Sequence, residues 1–168
     1  MRRQQCWLSR YHGGSRFMMT IFSRIIIALF VVCILVACDK IESAQTRNDF
    51  TDVMLDLQTN IQAKGYKVSR VQQVDVGMKK SGYTIAEYRV VFFARPDEVK
   101  TILEKYPEFA SFLPLSITIY KDGDITRLAG MPFVLPRSGA STQDLKTMIE
   151  TWEKDTADII HQTAETSD

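Results

Sequence analysis

The stretch from Glu87 to Lys121, EYRVVFFARPDEVKTILEKYPEFASFLPLSITIYK, constrains the fold more than any other part of the chain. It holds a strand, a turn, a helix and a second strand in one run. Ala86, Tyr88, Val90, Phe92 and Ala94 share one side of the first strand at period two, and Glu87, Arg89, Val91 and Phe93 share the other. Pro96 suits a first helical turn, where its missing N–H costs nothing, and Asp97 and Glu98 favour the positive helix start. Val99, Ile102, Leu103 and Tyr106 form an apolar stripe at helical spacing, closed by Pro107. After Leu113-Pro114, Ile117 and Ile119 alternate with Ser116, Thr118 and Tyr120. Strand, helix and strand in this order predict a right-handed parallel β-α-β unit.

Around this unit the pattern predicts a small α+β two-layer sandwich. Its sheet is expected to be mixed, with the helices packed mainly on one face. Asn48 or Asp49 caps a first helix whose face is Phe50, Val53, Met54, Leu57 and Ile61, and Gly65 supplies the left-handed stop. Tyr66 to Val76 reads as a strand, with Val68 and Val74 on one face and Val71 on the other. Residues 77–82 read as a loop or a single turn. Asp122-Gly123-Asp124 is a hairpin turn, with a return strand from Ile125 to Ala129. A loop from Met131 to Gly139 follows. The last helix then runs from Ser141 to about Ala164, capped by Ser141 or Thr142, with Leu145, Met148, Ile149, Trp152, Thr156, Ile159 and Ile160 on its inner stripe.

The residues themselves carry a resemblance. Phe50 opening a helix that ends at Lys64-Gly65-Tyr66, then VVFFARPDEVKTILEKYP, then FLPLSITIYKDGD, resembles the domain-of-unknown-function 302 family from about Phe50 to about Leu128. The cues are Pro96 after the central strand, Leu113-Pro114 before the next, and the Ile-x-Ile-Tyr strand ending at Tyr120. The resemblance implies a small α+β sandwich that often self-associates, and it brings no assigned activity. Many members carry Cys or Asn just before the proline equivalent to Pro96. Here Phe93, Ala94 and Arg95 stand there, so no thiol chemistry carries over.

The N-terminal segment reads as an address. Residues 1–37 hold Arg2, Arg3, Arg10, Arg16 and Arg24 and no acid. With those five set aside from the 21 basic residues, 16 face 20 acids, a net of −4 that leaves no electrostatic footprint for nucleic acid. Ile25 to Cys38 is an unbroken apolar run. At ~1.5 Å per residue it reaches about 21 Å, short of the ~30 Å hydrocarbon core, which is signal-peptide grammar. Leu35-Val36-Ala37-Cys38 resembles the bacterial lipobox. The reading is a signal peptide over 1–37, a lipidated N-terminus and tether over 38–48, one α+β domain over 49–164 and a polar tail over 165–168. Lys40 to Asn48 carries the option of a weak edge strand. Met18-Met19 lies at an ordinary distance ahead of Arg24, so residues 1–17 read as an upstream extension of the start. Cys38 is then the lipidation site and, in a Gram-negative host, Asp39 a sorting residue for the periplasmic face of the inner membrane. The partner so implied is membrane lipid, at a bacterial cell envelope.

The chemical inventory predicts no metal or cofactor. His161 is the one histidine left after processing, with no second His or Cys to build a zinc site. Asp122-Gly123-Asp124 lacks the further oxygens of a calcium loop. No phosphate-cradling glycine pattern occurs, and Ser138-Gly139-Ala140-Ser141 is capping chemistry, not a nucleophile elbow. If helices cover one face of the sheet, Glu87, Arg89, Val91, Phe93, Thr118 and Tyr120 line the other as a ligand or dimer face, or form an ordinary solvated face. Val91 and Phe93 then need a cover, either the last helix or a second copy of the chain. Arg95, at a strand end beside a helix start, is either an anion contact or a surface arginine. Lys79 and Lys80 add electrostatic attraction to anionic headgroups beneath the lipid. Two functions remain open. One is a lipid-anchored, non-catalytic domain binding a small ligand or an envelope protein. The other is an envelope enzyme using a carboxylate and a tyrosine, such as Glu87 with Tyr120.

Overall fold

A computed structural model describes residues 41–132 and 142–166 of the chain. Five strands form one sheet in the order β1-β5-β4-β3-β2, every neighbouring pair antiparallel. They are β1 (Ser43–Thr46), β2 (Lys67–Gln73), β3 (Tyr88–Ala94), β4 (Leu115–Asp122) and β5 (Ile125–Gly130). The helices are α1 (Phe50–Ala63), α2 (Val74–Lys80), α3 (Pro96–Lys105) and α4 (Gln143–Thr166), with a 3-10 segment at Pro107–Phe112. The fold is an α+β sandwich, as the sequence predicts. The segment before α1 does contribute an edge strand, paired with β5 from Ser43↔Ala129 to Thr46↔Thr126.

Local signals place the helix ends. Asp49 Oδ1 accepts from the Thr51 backbone N–H at 2.8 Å, and this bond holds the Asp49 carboxyl below its ordinary pKa. Gly65, at φ +81°, ends α1 in the left-handed region. Thr142 Oγ1 accepts from Leu145 N at 3.4 Å at the start of α4. Pro96 occupies the first turn of α3. The Leu113–Pro114 bond is cis. The β4–β5 hairpin closes on Gly123-Asp124, with Gly123 at φ +60°.

Three expectations are corrected. First, β3 and β4 are not a parallel unit; they are adjacent and antiparallel, with Phe93 opposite Leu115. A crossover must return along the whole sheet. Here α3, 10 residues or about 15 Å, goes out, and the 3-10 segment, 6 residues or about 12 Å, comes back. The excursion therefore starts and ends at one end of the sheet. Second, residues 74–80 are helix α2, so β2 stops at Gln73. Third, on α3 only Ile102 is buried, and Leu103 stands 59 % exposed, so its inner stripe is narrower than predicted.

The helix-covered face carries the core. Val91, Phe93, Leu115, Ile117, Ile119 and Leu128 are buried there beneath Val53, Leu57 and Ile61 of α1 and Leu145, Ile149, Trp152, Ile159 and Ile160 of α4. Helices α1 and α4 pack on each other and on the sheet. Phe93 meets the Tyr66 ring edge-on at 5.3 Å. At Gly130 a side chain has no room: a Cβ would lie 2.9 Å from Thr156 Cγ2 and 3.1 Å from Ile160 Cδ1.

Candidate functional site on the open sheet face

Strand pairing decides which residues share the uncovered face. Partners directly opposite in a sheet point the same way. Tyr88 lies opposite Tyr120, and Tyr120 opposite Arg127. Arg127 in turn lies opposite Gln45, which completes a row across four strands. The next row is Gln72, Val90, Thr118, Ala129 and Ser43, and the third brings Arg70, Phe92 and Ser116 together. These side chains face away from α1 and α4. The residues opposite buried Ile117 and Ile119 are Val91 and Arg89.

The predicted face is therefore corrected in part. Thr118 and Tyr120 are on the open face. Val91 and Phe93 are wholly buried on the helix side, so the helices provide the cover that those two residues require. Arg89 is on that side as well. It donates to Asp75 of α2 and to the Tyr88 carbonyl, and its guanidinium lies 5.8 Å from the Phe50 ring centroid. Asp75, itself buried, also meets Lys79 at 3.6 Å. Both alternations of β3 are apolar, so periodicity alone could not orient the strand. Tyr88, Val90 and Phe92 are half-buried.

Beside Tyr88 and Tyr120 the face is concave. A cleft of about 340 Å³ is lined by Val74 and Met78 of α2, by Ile85, Ala86 and Glu87 of the following segment, and by Tyr88, Tyr120 and Lys121. Its walls are almost wholly apolar, and the two tyrosine rings stand 6.1 Å apart at a tilt of 59°. Glu87 is exposed at the rim, its carbonyl accepting from Lys121 N at 2.9 Å. On the other side of Tyr120 lies a smaller, more polar hollow of about 190 Å³. Ser43, Ala44, Gln45, Arg127, Leu128 and Ala129 line it with Tyr120. Arg127 Nε donates to Asp122 at 2.8 Å and Nη1 to Gln45 Oε1 at 2.7 Å.

Arg95 is placed elsewhere and is held by protein groups. Nη2 donates to Asp155 at 2.7 Å and to the Lys64 carbonyl at 2.8 Å, and Nη1 to Glu98 at 3.0 Å. The guanidinium lies 3.9 Å from the Tyr66 ring centroid. Tyr66 Oη donates to Asp155 at 3.0 Å, Trp152 Nε1 to Glu98 at 2.7 Å, and Lys64 Nζ to Asp158 at 2.6 Å. Burial pulls the Arg95 pKa down, but the hydrogen bonds to Glu98 and Asp155 outweigh it and leave the group above its ordinary value. Burial, and then the hydrogen bond to Asp155, raise the Tyr66 hydroxyl far above its usual range. With two carboxylates already on its guanidinium, Arg95 joins the strand end to α3 and α4 and is poorly suited to an external anion.

Cys38 and Asp39 lie outside the described residues. His161 is exposed, its Nε2 3.4 Å from Glu42 Oε2. Among the described residues, no group of three His, Cys, Asp or Glu side chains could hold a metal ion, and no helix is long and apolar enough to cross a membrane. Sequence reasoning missed Val74, Met78, Tyr88 and Arg127. The Gly123-Asp124 turn already fixed Tyr120 opposite Arg127 and so held the signal for one of them.

With this geometry in place, comparison with known proteins decides the family. The family model for the domain of unknown function DUF302 matches residues 42–163. The chain belongs to the DUF302 family. A crystal structure of an uncharacterized conserved DUF302 protein from Bacillus stearothermophilus is similar, with a TM-score of 0.51 at 15 % identity. The match covers 74 % of this chain and 93 % of that one. At that identity the likeness concerns the DUF302 fold alone. No curated protein matches the chain.

Proposed function

We propose that this DUF302 protein is a bacterial envelope lipoprotein, anchored through acylated Cys38, whose domain is a non-catalytic binding module for a small ligand. The observation that carries the binding reading is the apolar cleft beside Tyr88 and Tyr120, on the sheet face that turns away from α1 and α4. Small-ligand sites are concave and mostly apolar, with a few polar groups at the margin, and this cleft has that composition. Acid–base catalysis asks for a titratable group held in a water-poor cleft. Glu87, the carboxylate of the enzyme reading, is exposed at the rim, which favours binding over chemistry.

The anchor rests on the sequence: an apolar run too short to span, ending at Leu35-Val36-Ala37-Cys38. Asp39 favours retention at the periplasmic face of the inner membrane.

The experiment is purification of the full-length protein from its own membranes, followed by mass spectrometry of what it retains. Wild type is compared with Ala86→Trp, which fills the cleft from an exposed position. Wild type should carry a small molecule that the variant loses, and should release it chemically unchanged. Equal retention by both would refute the cleft, and release of an altered compound would favour the enzyme.

A further inference from the structure

The open face offers more than an apolar hollow, because a guanidinium lies in the same row as its two tyrosines. Glu87 stands at the rim of the cleft. Two strands away from Tyr88, on the far side of Tyr120, stands Arg127. Neighbouring strands are spaced by about 5 Å, so Arg127 lies about 10 Å from Tyr88 along that row. Glu87 and Lys121 both border the cleft and offset each other, so Arg127 is the group in this row that favours an anion.

Arg127 still has capacity. Its Nε and Nη1 are taken by Asp122 and Gln45, and no described residue accepts from Nη2. Asp122 is 59 % exposed, so this pair is well solvated and gives way readily to a better-placed carboxylate. Arg95, by contrast, already meets two largely shielded carboxylates, Asp155 and Glu98, and the Lys64 carbonyl.

The walls specify the body of the ligand. Two tilted tyrosine rings and the Met78 thioether favour a flat aromatic surface over an alkyl chain, since rings gain from edge and face contacts and sulfur prefers ring edges.

Resting on the binding reading above, we infer that the ligand class of this cleft is an aromatic monocarboxylate. Its ring system lies between Tyr88, Tyr120 and Met78, and its carboxylate crosses Tyr120 to meet Arg127 Nη2.

The test uses the full-length protein in lipid nanodiscs with its methionine methyl groups labelled for NMR, titrated with 2-naphthoate and with neutral 2-naphthamide. Met78 reports the cleft, while Met54 and Met148, which pack against the core, report the fold. Naphthoate should shift Met78 and bind roughly tenfold or more tightly than the amide, the margin of one charge-assisted hydrogen bond. Arg127→Gln should abolish that margin with Met54 and Met148 unmoved, and Arg127→Lys should keep part of it. Equal binding of acid and amide would overturn the ligand class and leave the cleft standing as a binding site. If neither compound moves Met78, the class also falls, and retention by wild type against Ala86→Trp then decides the site itself. A Met78 shift that follows protein concentration without any ligand would make a second copy the occupant and overturn the inference.

Discussion

Arg95 Nη2 lies 2.7 Å from Asp155 Oδ2, joining the corner between β3 and α3 to the middle of the last helix. The two residues are 60 positions apart in sequence, and both are largely shielded from solvent. Tyr66, Glu98, Trp152, Lys64 and Asp158 extend the same network. This is the polar fastening of α4 over the sheet.

Asp155→Ala should therefore destabilise the domain by about 2 kcal/mol, since it leaves Arg95 and Tyr66 without their shared acceptor in a poorly solvated place. Chemical denaturation against wild type measures this. A change within a few tenths of a kcal/mol would mean that the network is dispensable.

Tyr66 gives a pH signature. Its folded pKa is raised by burial and by Asp155, while the unfolded hydroxyl titrates near its ordinary value of 10.0. Above that pH the unfolded chain loses a proton that the native one keeps, so stability is fully present below pH 10 and falls as pH rises beyond it. Melting temperatures at pH 9 and pH 11 should diverge more for wild type than for Tyr66→Phe. Equal slopes would contradict the burial of that hydroxyl.

Gly130→Ala should cost about 1–3 kcal/mol, because the new methyl group meets Thr156 Cγ2 and Ile160 Cδ1 at the seam between β5 and α4. A melting curve suffices. An unchanged midpoint would show that α4 moves away without penalty.

Phe93→Asp should unfold the domain, because the residue is wholly buried against Tyr66 and an unpaired carboxylate there costs several kcal/mol. Circular dichroism separates this from the alternative in which Phe93 forms a dimer contact, where the variant would remain a folded monomer.

Much of the architecture was legible because it is locally encoded. Asp49 caps, Gly65 stops, Pro96 starts and Gly123 turns for reasons confined to a few residues. The inner stripe of α4 was readable because Leu145, Ile149, Trp152, Ile159 and Ile160 repeat at helical spacing over a long element. What was not legible was long-range. Strand β3 is apolar on both alternations, and its orientation is fixed only by Val91 lying opposite Ile117. The parallel reading failed because the residues after Pro107 form a short 3-10 return instead of extending the helix. The site followed the same division: Tyr120 and Thr118 were found from their own strand, whereas Tyr88 and Arg127 needed the pairing. Arg89 looked like an open-face residue because its buried partner, Asp75, lies in a helix that the sequence presented as strand and loop.

The most direct test of the central claim is amide hydrogen exchange of the full-length protein with and without extract of its own envelope. Binding in the cleft predicts slower exchange confined to Val74–Lys80, the 81–88 segment and the backbone around Tyr120. Exchange unchanged there, or slowed instead around Arg95 and Asp155, would contradict the claim that the open face is where this protein meets its ligand.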